Sequence, residues 1–453
     1  MLELRGQRYV DDMPKVMHVK DTLRRALPIA RSIGVTRLAD ITHMDMLRIP
    51  NYSAVLPGTD DYIWVYSGKG PSRDHAKASA VMESIERYSA LASVFFNRCT
   101  GSRRVVRGSM VEMIREHGRE HVLHPDDVVE AVSPNYTDGM RMDFIEGYDL
   151  ISRERILVPA GLVLTRYDIV ASRSGVLNPF LYSHSNGLAS GNSIEEAILQ
   201  ALCEVVERDA VSIAELRSSV LHFHVLKSSI QRLRMHGLRL MDIDHHYVDD
   251  PNLYPEVDLS GVDDPYARYL ISRFEQEGIP LLVKDITSDI GVPTFIATSI
   301  QWVTHDYGYL AEGHGTHPNK DVALIRAITE VSQTRAANIQ GARDDLRRMN
   351  YEMGNTAENK AWQFMHSNRS VGYGSIRDRK SSDVLDDIEF VLGRLKGSGL
   401  DRVIVANLTD ERLGIPVVRV IVPGLETFKV SRSVIGSRAM RYMGKGGMGI
   451  DAE

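Results

Sequence analysis

The sequence predicts a mixed α/β (α+β) architecture, because short apolar segments alternate along the chain with longer helical ones. The apolar segments, which have the length and composition of buried strands, are 156–164, 279–287, 292–300, 402–408 and 416–422. The helical segments, in which alanine and other apolar residues recur with the period of a helix, are 74–93, 194–215, 321–343 and 383–398. Two polar stretches, 240–265 and 345–385, are predicted to be surface loops.

The composition excludes several classes of protein. The chain has 453 residues, of which 43% are hydrophobic and 25% charged, and its formal net charge is -6. This acidic balance does not support sequence-independent binding of nucleic acid, which needs a basic surface. No apolar run approaches the roughly 18 residues of a membrane span, and the first residues are too charged for a secretory signal. We therefore expect a cytoplasmic protein without a nucleic-acid or membrane partner.

The two cysteines, Cys99 and Cys203, are far apart in the sequence and form no C-x-x-C pair. Neither a disulfide framework nor a thiolate zinc site is indicated. If the protein handles sulfur, we expect the sulfur to come from another molecule.

The segment 67–87, SGKGPSRDHAKASAVMESIER, recurs twice further along the chain. A shift of 121 residues carries Gly70, Ala76, Ala80, Glu83, Glu86 and Arg87 onto Gly191, Ala197, Ala201, Glu204, Glu207 and Arg208. A further shift of 126 residues carries Ala197, Ala201 and Glu204 onto Ala323, Ala327 and Glu330, with Gln333 in the place of Glu207. Three copies this far apart do not form a solenoid, so three helices of similar design are predicted to converge on one site. The alanines, four residues apart, let the backbones approach closely.

Two of these copies gather the carboxylates of Glu83, Glu86, Glu204 and Glu207 near the C-terminal ends of their helices. Neighbouring carboxylates repel one another, and the negative end of the helix dipole adds to the repulsion. The arrangement therefore needs a cation. Because no soft ligand lies nearby, Mg²⁺ with water and phosphate oxygens in its shell fits best.

Positive side chains accompany these acids, since Lys69, Arg87 and Arg208 lie within or beside the same motifs. Such cations are expected where a nucleotide triphosphate binds. A single E-x-x-E-R sequence is more often a solvated helix edge with local salt bridges, but two matched copies favour a site. The predicted ligand is Mg-ATP.

Other motifs are weaker. The glycine-rich sequence at 444–449 lies too near the C terminus for a helix to follow it, so we interpret it as a flexible tail rather than a phosphate-binding loop. His222 and His224 lack a third ligand at fixed spacing, which favours core or surface histidines over a metal site. His314 and His317 precede the third helix and have no assigned role.

Three segments, in this order along the chain, resemble the YcaO-domain family: 67–87, 185–210 and 313–335. Residues 21–55 also resemble the N-terminal region of that family. The resemblance implies a YcaO fold, with mixed sheets and three related helices converging on an ATP and Mg²⁺ site. It implies three parts, which are an N-terminal segment (1–60) packing on the domain, the catalytic domain (61–425) and a C-terminal tail (426–453).

The resemblance further implies an ATP-dependent enzyme that phosphorylates the oxygen of a peptide backbone amide, after which a nucleophile displaces that oxygen. The residues that would hold Mg²⁺ are Glu83, Glu86, Glu204 and Glu207. The residues that would bind ATP are Lys20, Lys69, Ser190, Asn192, Glu196, Arg208, Gln333 and Arg335. The chain departs from the family at Ala189 and Ser190, where the serine used for nucleotide contact is displaced. No protein nucleophile is expected, because phosphoryl transfer depends on positioning and charge stabilisation.

Within the family, azoline-forming members use a Cys, Ser or Thr side chain of the substrate, whereas thioamide-forming members use an external sulfur donor. Many azoline formers share a proline-rich C terminus, but Pro423 is the last proline of this chain. Thioamide formation is therefore favoured. The chain most resembles the archaeal members implicated in converting a glycine of the methyl-coenzyme M reductase alpha subunit into thioglycine. This implies a TfuA-type partner, an external sulfur donor and a homodimer. The alternatives are an azoline-forming cyclodehydratase and a non-enzymatic nucleotide-binding accessory protein.

Overall fold

The computed structural model describes residues 2–10, 13–98, 105–218, 250–304, 307–342, 360–431 and 434–444. The helices in this part of the chain are α1 (Val19–Ser32), α2 (Arg73–Ala90), α3 (Ala92–Arg98), α4 (Met110–His117), α5 (Ala160–Val163), α6 (Tyr167–Ser174), α7 (Ile194–Arg217), α8 (Pro265–Gln276), α9 (Lys320–Gln340), α10 (Ala361–Phe364), α11 (Val384–Gly397), α12 (Phe428–Ser431) and α13 (Ser437–Gly444). The strands are β1 (Arg37–Asp40), β2 (Asn51–Val55), β3 (Val65–Lys69), β4 (Val105–Ser109), β5 (Arg141–Asp149), β6 (Arg155–Pro159), β7 (Leu188–Ser190), β8 (Glu256–Asp258), β9 (Leu282–Asp285), β10 (Thr294–Thr304), β11 (Tyr307–Thr316), β12 (Ser370–Gly372), β13 (Ile404–Asn407) and β14 (Val417–Ile421).

The described strands form three sheets. The first has the order β1-β2-β3, the second β11-β10-β9-β8-β12, and the third β4-β5-β13-β14-β7, with β6 paired to β5. Pairing is antiparallel except between β8 and β12, which run parallel. Helices pack against these sheets, so the predicted mixed α/β class is confirmed.

The repeated segments each form an edge strand followed by a helix. These units are β3 with α2, β7 with α7, and β11 with α9, and each strand lies at one end of its sheet. A side chain at Gly68 would collide with the backbone of Ala76, and one at Gly315 with the backbone of Ala323. Backbone therefore packs on backbone, and the close approach predicted from the alanine spacing is confirmed.

The three helices also begin in the same way. The side chain of Ser72 accepts a hydrogen bond from the N–H of His75, that of Ser193 from Glu196, and that of Asn319 from Asp321. Such caps satisfy N–H groups that have no partner within the helix. The glycine, the cap and the alanines together fix where each helix starts beside its strand.

Two sequence predictions need correction. The strand predicted at 156–164 ends at Pro159, and α5 follows at once. Proline fixes φ near the helical value and suits the start of a helix. The two predicted loops contribute β8 and β12, which pair with each other. Strands of three residues are too short to show an alternating pattern.

The N-terminal residues lie across the start of α7. The backbone N–H of Arg5 donates to Glu195 Oε1 at 2.9 Å, and that of Val16 donates to Glu196 Oε2 at 3.1 Å. The predicted boundary at residue 60 lies between β2 and β3, which pair in one sheet. The division into three parts stays a prediction. In the part of the chain that the structure describes, no helix combines the length and the apolar character needed to cross a membrane.

Candidate functional site

The three repeated helices meet around a cavity of about 400 Å³. Each helix contributes the same four positions of the repeat to its wall. These residues are His75, Ala78, Ser79 and Met82 on α2, Glu196, Leu199, Gln200 and Cys203 on α7, and Val322, Ile325, Arg326 and Thr329 on α9. The same sequence shifts that align the motifs, 121 and 126 residues, relate these three sets. The three copies of the sequence repeat therefore place their helices around one cavity in an approximately threefold arrangement.

Most of the predicted site residues line this cavity. They are Lys69, Glu83, Glu86, Ser190, Asn192, Glu196, Glu204 and Arg208. Four others do not form part of its lining, namely Lys20, Glu207, Gln333 and Arg335. The structure brings the two acidic motifs together from segments that lie far apart in the sequence.

The acidic edge of α2 is only partly neutralised. The guanidinium of Arg87 lies 3.5 Å from Glu83 Oε1 and 3.6 Å from Glu86 Oε1. Glu86 also accepts a hydrogen bond from the backbone N–H of Ser190 at 3.0 Å. Burial nevertheless raises the pKa of Glu86 well above its usual range. Arg87 lowers this pKa, whereas Glu83 raises it further. The site therefore favours a cation here.

The acidic edge of α7 has the same character. Burial raises the pKa of Glu204, and Arg208 opposes that rise only in part. Glu207 is 2% exposed, and its Oε2 has no hydrogen-bond partner among the described residues. The guanidinium of Arg208 is 3.9 Å from its other oxygen. A buried carboxylate oxygen without a partner is costly unless a cation or donor binds it, so Glu207 fits the donor set of a hard divalent cation.

Among the described residues, no three acidic, histidine or cysteine side chains lie close enough together to form a preassembled metal cage. Mg²⁺ does not need one, because it usually binds one or two carboxylates and keeps water and phosphate oxygens in its shell. The carboxylates fit a metal that arrives together with a nucleotide.

Cationic side chains line the same cavity as these acids. Lys69 forms an ion pair with Glu330, and Arg326 donates to Gln200 Oε1 at 2.5 Å. Burial lowers the pKa of Lys69, although Glu330 counteracts it. Lysine and arginine side chains beside carboxylates suit a bound Mg²⁺ and a triphosphate together.

Asn192 and Glu196 tie the N-terminal residues to this wall. Asn192 Nδ2 donates to Glu196 Oε1 at 3.1 Å, and Thr22 Oγ1 donates to Asn192 Oδ1 at 2.9 Å. The ammonium of Lys15 lies 3.3 Å from Glu196 Oε1. Lys15 lines the cavity, whereas Lys20, the lysine predicted from the sequence, is exposed on α1.

Gln333 and Arg335 make structural contacts. Gln333 Nε2 donates to the carbonyl oxygen of Ser67 on β3. Arg335 is 1% exposed, and its Nη2 lies 2.8 Å from Asp45 Oδ1. These bonds hold β3 and the segment before β2 onto α9, and neither side chain forms part of the cavity lining. The resemblance to the family predicted Gln333 and Arg335 in the nucleotide pocket. A sequence motif does not show contacts with distant residues, so the pairing of Arg335 with Asp45 could not be read from it.

Sequence reasoning missed Lys15, Arg326 and His317, which all line the cavity. Burial, with Arg326 and Lys15 nearby, lowers the pKa of His317 to about 3, so the ring is neutral. Arg326 could have been found, because it occupies the repeat position of Ser79 and Gln200. His222, His224 and residues 445–449 lie outside the described residues.

The fold and the cavity define a protein of mixed α/β type with a site suited to a metal-bound nucleotide. Residues 67–426 match the family model described as YcaO cyclodehydratase, ATP- and Mg²⁺-binding. The chain belongs to the YcaO family, whose members are ATP-dependent enzymes, and its cofactors are ATP and Mg²⁺.

Two relatives cover most of the chain. An uncharacterised protein of Methanothermobacter thermautotrophicus is 33% identical over 438 residues, which are 94% of this chain and 98% of the relative. A Rhizobium leguminosarum bv. trifolii protein, described as lying in the tfuA 3' region, is 28% identical over 88% of this chain and 85% of the relative.

Solved structures share the fold. YcaO from Methanopyrus kandleri, bound with AMPPCP and Mg²⁺, has a TM-score of 0.66 and 24% identity, and the match covers 95% of this chain and 98% of that one. A heterocyclase in complex with substrate and cofactor has a TM-score of 0.71 and 22% identity over 94% of this chain. This chain spans 54% of the length of that heterocyclase chain.

Proposed function

We propose that this protein uses Mg-ATP to phosphorylate the oxygen of a peptide backbone amide, which sulfur then replaces to give a thioamide. The proposed substrate is a glycine of the methyl-coenzyme M reductase alpha subunit. The observation that carries the proposal is one cavity whose lining combines acids of α2 and α7 with the cations Lys69 and Arg208.

The residues divide into two groups by the ligand that each would bind. Glu83, Glu86, Glu204 and Glu207 would hold Mg²⁺, which supplies charge neutralisation at the phosphate oxygens. Lys69, Ser190, Asn192, Glu196 and Arg208 would contact the nucleotide. We assign Gln333 and Arg335 a positioning role, since they anchor β3 and Asp45 to α9. For Lys20, which is not part of the cavity lining, ATP binding rests on the family resemblance alone.

The chain's own residues orient and desolvate the reacting groups. The ion pair with Glu330 fixes the Lys69 ammonium at the cavity wall. The buried, neutral His317 and the apolar Leu199 and Ile325 exclude water from the same space. Fixed charges in a water-poor site stabilise a phosphoryl group in transfer more strongly than they do in water. This accounts for catalysis without a protein nucleophile.

The sulfur source is proposed to be external. Cys203 lines the cavity, but burial raises the pKa of its thiol to about 12. The thiol therefore stays protonated at neutral pH, and a thiol reacts as a nucleophile only as its thiolate. A separate donor is required, and the relative encoded in a tfuA region supports a TfuA-type partner. Relatives in methanogen archaea support the methyl-coenzyme M reductase substrate.

Azoline formation in a ribosomal peptide is the second candidate, favoured by the family description as a cyclodehydratase. The same phosphorylation of an amide oxygen would then be followed by attack from a Cys, Ser or Thr side chain of the substrate. The third candidate, a nucleotide-binding accessory without catalysis, offers no reason for a buried carboxylate such as Glu207.

Product mass separates these candidates. The purified protein is incubated with Mg-ATP, sulfide and the substrate chain, and the modified segment is analysed by mass spectrometry. Exchange of one oxygen for one sulfur supports thioamidation, whereas loss of one water shows cyclodehydration. An unmodified substrate with no substrate-stimulated ATP hydrolysis identifies an accessory protein. The variant Glu207→Gln is the matched inactive control.

A further inference from the structure

A cluster of charged and polar side chains adjoins the nucleotide cavity at Lys69 and Arg208, and we call it the β11 cluster. Four of its charged side chains are each 20–24% exposed, namely Lys69, Arg208, Glu312 and Glu330. Its other members are more deeply buried, namely His314, Glu215 and Lys429. Lys69 and Arg208 also line the nucleotide cavity.

Several buried polar atoms of this cluster lack hydrogen-bond partners among the described residues. Lys429 Nζ lies 2.7 Å from Glu215 Oε1 and 2.7 Å from Glu312 Oε1, and Oε2 of both glutamates has no partner in the described part of the chain. The same holds for both ring nitrogens of His314, a residue only 3% exposed. Buried polar atoms are usually paired with protein or water, so these atoms can accept hydrogen bonds from a polar ligand.

His314 lies beside a carboxylate. Its Nδ1 is 3.6 Å from Glu330 Oε1, which is longer than a hydrogen bond, and Glu330 Oε2 forms the ion pair with Lys69. An imidazole that has a carboxylate beside Nδ1 and no partner at Nε2 can exchange a proton at Nε2. In the repeat, Glu330 occupies the position of Glu204. Its pairing with Lys69 and His314 separates it from the acids proposed to hold Mg²⁺.

We propose that the β11 cluster binds the peptide amide and the sulfur nucleophile, that His314 is the acid–base residue, and that Glu330 is its positioning residue. This inference rests on the proposed function. The amide oxygen forms a bond to the γ-phosphorus as the bond to ADP breaks. Hydrosulfide then forms the C–S bond at the amide carbon and gives its proton to His314 Nε2. The C–O bond breaks, and phosphate leaves with that oxygen and the proton returned by His314.

The test uses the full chain with its substrate at saturating Mg-ATP. His314→Gln is expected to lower the rate of product formation by roughly 10²–10⁴-fold, the usual contribution of a general acid–base group. The affinity for Mg-ATP, measured by calorimetry, and the thermal midpoint should stay close to those of the wild type. Imidazole should restore product formation to His314→Ala. Glu330→Gln should lower kcat with little change in KM for the substrate, and the conservative variant Glu330→Asp should restore part of kcat.

His366→Gln, at an exposed histidine far along the chain, is the matched control and should have no effect. A wild-type rate in His314→Gln overturns the proposal. Parallel loss of Mg-ATP binding and product formation also overturns it, as does the absence of imidazole rescue in His314→Ala. If the wild type forms a heterocycle, the proposed thioamidation is wrong. The role of His314 is then tested by measuring the rate of heterocycle formation in the same variants.

Discussion

The backbone N–H of Ser190 donates a hydrogen bond to Glu86 Oε2 at 3.0 Å. This bond joins the strand of the second repeat to the helix of the first. The hydroxyl of Ser190 also donates to the carbonyl oxygen of Met82 at 3.1 Å. Because α7 starts just after Ser190, these contacts hold the two acidic helices at a fixed distance around the cavity.

The first prediction concerns the metal site. Glu207→Gln should abolish substrate-stimulated ATP hydrolysis, because a neutral amide is a poor ligand for Mg²⁺. The affinity for Mg²⁺ should fall by at least roughly 10–100-fold, which is the usual effect of removing a residue that only supports a metal ligand. The thermal midpoint should not fall, since the change removes a buried charge. Glu389→Gln, at an exposed position on α11, is the control. Normal turnover in Glu207→Gln would exclude this residue from the site.

The second prediction concerns the packing of strand on helix. Gly315→Ala should destabilise the protein by about 1–3 kcal/mol, because its Cβ would collide with the backbone of Ala323. Gly393→Ala is the matched control, since nothing lies within 4 Å of its Cβ. That change, inside α11, should stabilise the helix by about 0.5–1 kcal/mol. Chemical denaturation measures both, and equal effects would contradict backbone-to-backbone packing.

The third prediction concerns the buried pair of Arg335 and Asp45, whose side chains are 1% and 2% exposed. Asp45→Asn should destabilise the fold by about 3–5 kcal/mol, because it leaves the guanidinium charge buried without its counterion. Asp401→Asn, at an exposed residue, serves as the comparison. If Asp45→Asn instead weakens ATP binding at unchanged stability, Arg335 belongs to the nucleotide pocket as the family likeness implied.

The repeat made much of this site predictable. Glycine, alanine and glutamate at fixed spacing are local signals, and they anticipated three helices, their close packing and the two acidic edges. Contacts across long sequence separations were not predictable, and Asp45 pairs with Arg335 over 290 residues. Lys15 lies in a segment without a periodic pattern, so only the folded chain brings it to Glu196. The strands β8 and β12 were not predicted, because three residues are too few to show a periodic pattern and their pairing joins distant segments.

The fourth prediction concerns pH. Tyr9 donates a hydrogen bond to Asp387 Oδ2 at 2.7 Å, yet burial raises the pKa of Asp387 to about 6. An unfolded aspartic acid has a pKa of about 3.9. The folded state therefore binds more protons between these values, and its stability falls as pH rises from about 4 to about 6. Asp387→Asn stays neutral and should avoid this loss.

Thermal unfolding at several pH values measures this effect. The gain in midpoint of Asp387→Asn over the wild type should grow as pH rises through that window and stay constant above it. Asp386→Asn, at the exposed neighbour on the same helix, should show no such trend. A difference that is independent of pH would show that folding does not shift the pKa of Asp387.

The central claim is that the acidic edges of α2 and α7 bind a divalent cation together with ATP, and ATP binding with and without Mg²⁺ tests it most directly. Calorimetry on the wild type should show tight binding of ATP only when Mg²⁺ is present. The double variant Glu83→Gln with Glu204→Gln should bind ATP with little dependence on Mg²⁺. Equal affinity with and without Mg²⁺ in the wild type, unchanged in the double variant, would contradict the claim.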